Sequence, residues 1–197
     1  MTQADPAARA RRAARRERIR DGLRDPEATV RESAARALVR MERQADVPAL
    51  LARLRSPEPA DRLNAVYALG RTHDPRAVNA IVQTLLDASE DVRAASVRTL
   101  GELGDPTTLE PIISALDDPS SLVRRHAIEA LGRFADPRLV PILVAVLDDE
   151  DPGALCEALR ALGDCGDSQA ESAIEGFLKH EAAAVRAAAI RALAALD

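Results

Sequence analysis

Large aliphatic side chains return at one fixed interval along the chain. Leu38, Leu69, Leu100, Leu131, Leu162 and Leu193 are 31 residues apart, and Val30, Val92, Val123 and Val185 keep a common phase, with Asp61 and Ala154 in the two gaps. The next column is Arg31, Arg62, Arg93, Arg124 and Arg186, interrupted by Leu155. Self-similarity at a period of this length marks stacked structural repeats. Inside one period, Val92, Val97, Leu100 and Leu103 fall on one face of a helix, and Gly104-Asp105-Pro106 supplies a glycine stop and a following proline. Leu109, Ile112, Ile113 and Leu116 then make the apolar stripe of a second helix, which Asp117-Asp118-Pro119 ends. Each period predicts a helical hairpin, and Gly70, Gly101, Gly132 and Gly163 are read as residues that its turn requires.

Two columns of small residues predict how the hairpins stack. Ala34, Ala65, Ser96, Ala127, Ala158 and Ala189 form one; Ala37, Ala68, Thr99, Ala130, Ala161 and Ala192 form the other. Side chains of this size let neighbouring helices approach to the near end of the ~8–10 Å interaxial range, so successive first helices pack side by side. Ala35, Val66, Val97, Ile128, Leu159 and Ile190 fill the space between layers. Ordering the backbone costs roughly 1–2 kcal/mol per residue, more than one hairpin's apolar burial offsets, so stability comes from stacking. The predicted fold is all-α, an α-solenoid of stacked helical hairpins. Its periods are 25–55, 56–86, 87–117, 118–148, 149–179 and a half repeat 180–197, preceded by a basic capping helix within 1–24. That cap is expected to be helical over 7–23, because Ile19 and Leu23 lie one period before Leu50 and Leu54.

Composition agrees with an all-α fold: apolar residues make up 47% and aromatics only 2%, so the core is aliphatic and close-packed. The net charge of −5 is unevenly distributed. Residues 1–24 hold eight Arg against Asp5, Glu17 and Asp21, a balance of +5, which leaves −10 for the rest. Cys156 and Cys165 are nine residues apart, ~13 Å along a helix and past disulfide reach, so free thiols in a reducing compartment are expected. No apolar run approaches the ~18 residues of a membrane span, and a soluble cytoplasmic protein is the expectation.

The segment Glu90 to Asp118, with Val92-Arg93, Leu100-Gly101 and Gly104-Asp105-Pro106, resembles the HEAT-like repeat of the phycobilisome lyase class, and the likeness extends over 25–197. The resemblance implies a scaffold shared by many unrelated functions. Two enzymatic relatives of that scaffold set tests for the residues. Deoxyhypusine hydroxylases build a di-iron site from repeated His-Glu pairs early in their first helices. Here His180-Glu181 is a single pair outside that phase, and Val123-Arg124-Arg125-His126-Ala127 lacks the Glu. Phycobilin lyases act on a tetrapyrrole and an acceptor protein, but Tyr67, Phe134 and Phe177 are scattered at core-compatible positions and offer no sandwich for a planar ring.

The remaining chemistry is sparse. His73, His126 and His180 lack the spacing of a zinc site, and no Gly-rich phosphate loop or nucleophile elbow occurs. The expectation is no enzyme activity, no catalytic or metal residue, and no cofactor. The Arg column is read as an Asp-Arg ladder between repeats, each Arg beside Asp25, Asp87, Asp118 or Asp149 at the preceding boundary, rather than as a phosphate track. The acidic body weighs against nucleic acid, leaving Arg11, Arg12, Arg15 and Arg16 as a candidate anion-binding cluster.

A partner surface is expected on the second helices, which line the concave face of such stacks. Residues opposite their apolar stripe are Arg76, Thr107, Arg138 and Gln169, then Gln83 and Ser114, flanked by Asn79 and Glu110. Between them run Ala49, Ala80, Pro111, Ile142 and Ala173, an apolar floor suited to a protein segment. The reading is a non-enzymatic protein-protein interaction scaffold. An accessory factor of a chromophore-lyase or metal-enzyme system is the alternative, and nucleic-acid binding through the Arg-rich head is a second. A homotypic contact at the C-terminal half repeat is a further candidate, and no membrane partner is expected.

Overall fold

In the computed structural model the described residues are 6–72 and 74–196. They are helical, with no strand among them. The chain forms two compact units, one ending at Ala49 and one beginning at Leu50. The first contains α1 (Pro6–Asp21), a 3-10 turn at Gly22–Arg24 and the greater part of α2 (Ala28–Arg53). Helix α1 and its turn cover the segment expected to cap the chain.

The second unit carries the regular stack. Its first helices are α3 (Pro59–Gly70), α5 (Glu90–Leu103), α7 (Ser121–Phe134), α9 (Pro152–Cys165) and α11 (Ala183–Leu193). Their start points keep the 31-residue interval, and each packs against the next. The second helices are shorter: α4 (Pro75–Gln83), α6 (Leu109–Ser114), α8 (Val140–Ala145) and α10 (Glu171–Glu175), all but α10 tightened by a 3-10 turn at the end. Each packs against the first helix that follows it. The periodic aliphatics are the core. Leu69, Leu100, Leu131 and Leu162 are fully buried, as are Val66, Val97, Ile128 and Leu159 between layers and Ile81, Ile112, Leu143 and Ile174 on the second helices. Ile190 departs from its column: it is 59% exposed.

Two expectations about the backbone are corrected. The hairpin expected in 25–55 is not formed; α2 runs unbroken from Ala28 to Arg53. Where α5 is stopped by Gly104-Asp105-Pro106, the equivalent residues here are Glu42-Arg43-Gln44, which neither favour a left-handed backbone nor exclude a helix. Pro48, which would open a second helix, lies instead inside α2.

The recurrent glycines do not serve the turn. Gly70, Gly101, Gly132 and Gly163 are helical residues at the contact between successive first helices. A Cβ on Gly101 would sit 2.5 Å from the Ala130 Cβ and 2.9 Å from its Cα, and one on Gly163 would sit 2.9 Å from the Ala192 Cα. The glycine column thus faces the second small-residue column on the neighbouring helix. The turn itself uses Gly104 (φ 61°), Gly166 (φ 65°) and Ala135 (φ 45°).

Candidate interaction surface

The turn before each second helix is built the same way. Asp74, Asp105, Asp136 and Asp167 have extended backbones, and their carboxylates accept the backbone N–H two residues on, from Arg76, Thr107, Arg138 and Gln169. This is an N-cap that satisfies one free donor of a helix start. It also fixes where the residue at each capped position stands. Arg76 goes further: its Nε and Nη2 donate to both oxygens of Asp74 at 3.0 and 2.8 Å. Arg138 forks onto Asp136 in the same way, with Nη2 at 2.6 Å. These hydrogen bonds lower the Asp74 carboxyl to about 2 and depress that of Asp136, in each case chiefly through the guanidinium. The arginine side chains nevertheless face solvent, 59% exposed at Arg76 and 85% at Arg138.

Asn79, Gln83, Thr107, Glu110, Ser114 and Gln169 are exposed as well. Thr107 is tied to Asp105 through its hydroxyl at 2.8 Å, and the Ser114 hydroxyl donates to the Glu110 carbonyl. Ala80, Pro111, Ile142 and Ala173 are half-buried between these polar positions, while Ala49, in the first unit, is exposed. On α1, Arg11, Arg15 and Arg16 are exposed; the side chain of Arg12 lies outside the described residues.

The Asp-Arg ladder exists, with its partners placed differently from the expectation. Arg93 and Arg124 do not reach the carboxylate at the preceding boundary, and Arg62 has Ser56 there. Each of the three holds the carboxylate 25 residues ahead, Asp87, Asp118 and Asp149, through paired bonds of 2.6–3.0 Å. The preceding boundary supplies carbonyls instead: Nη1 of each arginine donates to the residues five and six before it. The forks from Arg62 and Arg124 are the main cause that lowers the Asp87 and Asp149 carboxyls. At Asp118 burial pushes upward, and the Arg93 fork with the Ser120 N–H outweighs it, for a net lowering. The fifth repeat loses both ends of its rung, because Leu155 stands for the arginine and His180 for the aspartate.

His180 keeps one duty of the missing aspartate, since its Nδ1 accepts the Ala182 N–H at 3.1 Å, as Asp87 accepts that of Ser89. Its ring stacks on Phe177 with centroids 6.0 Å apart. His126 pairs with Glu129 at 3.3 Å, and His73 lies outside the described residues. Cys156 and Cys165 are free thiols, both raised above the usual thiol value by burial. Among the described residues no cluster of His, Cys, Asp or Glu has the makings of a metal site, and no helix is long and apolar enough to cross a membrane. Tyr67 does not sit in the core; it is exposed. It lines a groove of about 420 Å³ between α3 and α5 with Arg71, Arg98 and Glu102, and a second groove of about 380 Å³ between α9 and α11 is lined by Cys156, Arg160, Asp164 and Arg191. Sequence reasoning missed both. The signal was the outward column Tyr67, Arg98, Glu129, Arg160 and Arg191, which keeps the repeat's interval.

Comparison with known proteins supports this architecture. The family model for HEAT repeats matches residues 16–91, 47–110, 78–158 and 140–197. No curated protein matches by sequence. Among solved structures, the complex of CpcE and CpcF of phycocyanin lyase from Nostoc sp. PCC7120 is similar, with 28% identity and a TM-score of 0.67 over 76% of this chain. The match covers 64% of that chain, so this protein spans less than two thirds of its length. YibA of Escherichia coli is 19% identical with a TM-score of 0.66, over 98% of this chain and 76% of that one. A designed armadillo repeat protein in complex with the peptide (KR)4 is 21% identical with a TM-score of 0.58, over 91% and 98%. The last two likenesses show a shared fold.

Proposed function

Taking as premise that this chain belongs to the HEAT-repeat family, we propose that it is a non-enzymatic scaffold that binds a protein partner along the exposed side of its second helices. The observation that carries the reading is the row Arg76, Thr107, Arg138 and Gln169. All four face solvent, and a carboxylate at each helix start holds each backbone in place. The side chains of Arg76, Thr107 and Arg138 are also held by their aspartates, and side chains fixed before binding lose less freedom on complex formation, which favours recognition over mere solvation. The row is spaced by one repeat, so an extended segment or a helix laid across the stack meets the same kind of contact at each layer.

The test is affinity capture from native lysate with the purified chain, beside the variant Arg76→Glu, Gln83→Glu, Arg138→Glu. A protein retained by the native chain and lost with the variant is the expected result. Retention unchanged by the three substitutions contradicts this surface. The likeness to the CpcE–CpcF complex favours one second reading, an accessory factor in a chromophore-lyase system. Co-purification of pigment, or capture of a pigment-carrying protein, distinguishes it from a general scaffold.

A further inference from the structure

In three successive layers the outward column of the first helices is charged, and each charge is paired within its own helix. The Arg98 Nε donates to Glu102 on α5, Arg133 donates to Glu129 on α7, and Arg160 holds both Glu157 and Asp164 on α9. Helix α3 breaks the pattern. Tyr67 stands in that column where later layers carry Arg98, Glu129, Arg160 and Arg191, so Arg71, four residues on, has no carboxylate to meet. Among the described residues no acceptor reaches the Arg71 side chain.

The groove of about 420 Å³ between α3 and α5 lies at this break. Tyr67 forms one side of it and is 37% exposed. Arg71 and Arg98 stand against Glu102 alone, which leaves an excess cation; in the groove between α9 and α11, Arg160 and Arg191 are balanced by Glu157 and Asp164. A second departure lies beneath the charges. Thr99 also lines the groove, in a column that is alanine in the other layers, at Ala37, Ala68, Ala130, Ala161 and Ala192. It is 3% exposed, and its hydroxyl has no hydrogen-bond partner among the described residues. A hydroxyl inside a helix ordinarily bonds to a carbonyl one turn back, as Ser96 does to Val92. The Thr99 Oγ1 lies instead 4.0 Å from the point that a Gly70 Cβ would occupy, and Gly70 lines the same groove. Stacking does not require this oxygen, since alanine serves in its place elsewhere, and a buried hydroxyl left unpaired is destabilising.

Arg71, the Nη groups of Arg98 and the Thr99 hydroxyl are all donors without acceptors. A molecule that satisfies them brings acceptor oxygens and negative charge. A carboxylate matches the single excess cation, whereas a phosphate dianion overcompensates it. The exposed Tyr67 ring offers a face on which a planar apolar group stacks, and the volume of the groove is that of a small-molecule site. We propose that the groove between α3 and α5 binds a small aromatic carboxylate, its charged end held by Arg71 and Arg98 above Thr99 and its ring against Tyr67. This site lies on the first helices, apart from the second-helix surface, and either can fail without the other.

Two-dimensional NMR of the full chain titrated with benzoate tests it. Benzoate is expected to shift the amides of Tyr67, Arg71, Arg98 and Thr99 saturably. Acetate, which has the charge without the ring, and benzyl alcohol, which has the ring without the charge, are each expected to bind about tenfold more weakly or worse. Arg71→Gln, at an exposed and unpaired position, is expected to weaken benzoate by about tenfold with unchanged circular dichroism. Thr99→Val keeps the shape and removes the unpaired oxygen. It is expected to bind benzoate about fivefold more weakly and yet melt at a higher temperature, a combination that a purely structural hydroxyl does not produce. Benzoate that leaves these amides unmoved overturns the proposal and assigns the hydroxyl to water. Shifts that acetate reproduces at equal concentration, or that keep full affinity in both variants, overturn it as well.

Discussion

Gly101 lies inside α5, where glycine costs roughly 0.8–1 kcal/mol of helix stability relative to alanine. The neighbouring α7 explains its presence, since the added methyl would meet both Cβ and Cα of Ala130. Backbone cannot yield as a flexible side chain does, and overpacking of this kind costs about 1–3 kcal/mol. Gly101→Ala is therefore expected to lower the urea midpoint, with the steric term outweighing the gain in propensity. Gly104→Ala meets no atom within 4 Å, and its cost is only the left-handed backbone, about 1–2 kcal/mol. If Gly101→Ala proves stabilising, the helices are not in the contact described. The period alone made the glycine column visible but gave it the wrong task. Gly101 and Gly104 are three residues apart, and only the position of the neighbouring helix reveals which one is a stop and which a contact. Tyr67 was misplaced for a similar reason: a large apolar ring at a helical position reads as core until the face it occupies is known.

At the scale of the element, the ladder joins three successive pairs of repeats, each through a largely buried fork. Hydrogen bonds to charged groups contribute about 1.5–3 kcal/mol, and Asp118→Ala is expected to lose that amount at neutral pH in denaturant unfolding. The sign of its pH dependence follows from the lowered carboxyls of Asp87, Asp118 and Asp149. Their folded pKa lies below the unfolded value near ~3.9, so their contribution is complete above that value and is lost as pH falls through the folded one. The gap between native chain and Asp118→Ala should close in acid below about pH 4; a constant gap there would assign the loss to packing instead. The interrupted rung offers a complementary check. Leu155→Arg and His180→Asp are each expected to destabilise alone, one by burying an unpaired cation and the other by giving up the Phe177 stack. Together they restore the pair, with a favourable coupling of about 0.5–3 kcal/mol in a double-mutant cycle. The sequence showed that an Asp-Arg ladder existed, because both columns keep the period. Its direction was hidden, because a guanidinium six residues after one boundary and 25 before the next is within reach of both. The unbroken α2 has a local cause that was also written in the chain: Glu42-Arg43-Gln44 lacks each of the three residues that end α5.

For the molecule as a whole, the hydrophobic period determines the stack and says little about what the stack binds. Core columns repeat because every layer must bury the same shape, whereas recognition rests on exposed side chains that need not repeat. The row Arg76, Thr107, Arg138 and Gln169 was legible as solvent-facing from helical phase. The aspartates that brace it were legible only as turn residues, since the sequence cannot show that one carboxylate both caps a helix and holds a side chain. The most direct test of the proposed scaffold function is photo-crosslinking in native lysate, with a photoreactive residue placed at Gln83 on a second helix and, separately, at Glu102 on the outer side of a first helix. A specific protein crosslinked from Gln83 and absent from Glu102 is the predicted result. Crosslinks from Glu102 alone, or from neither position while the α1 arginines capture nucleic acid, would contradict it.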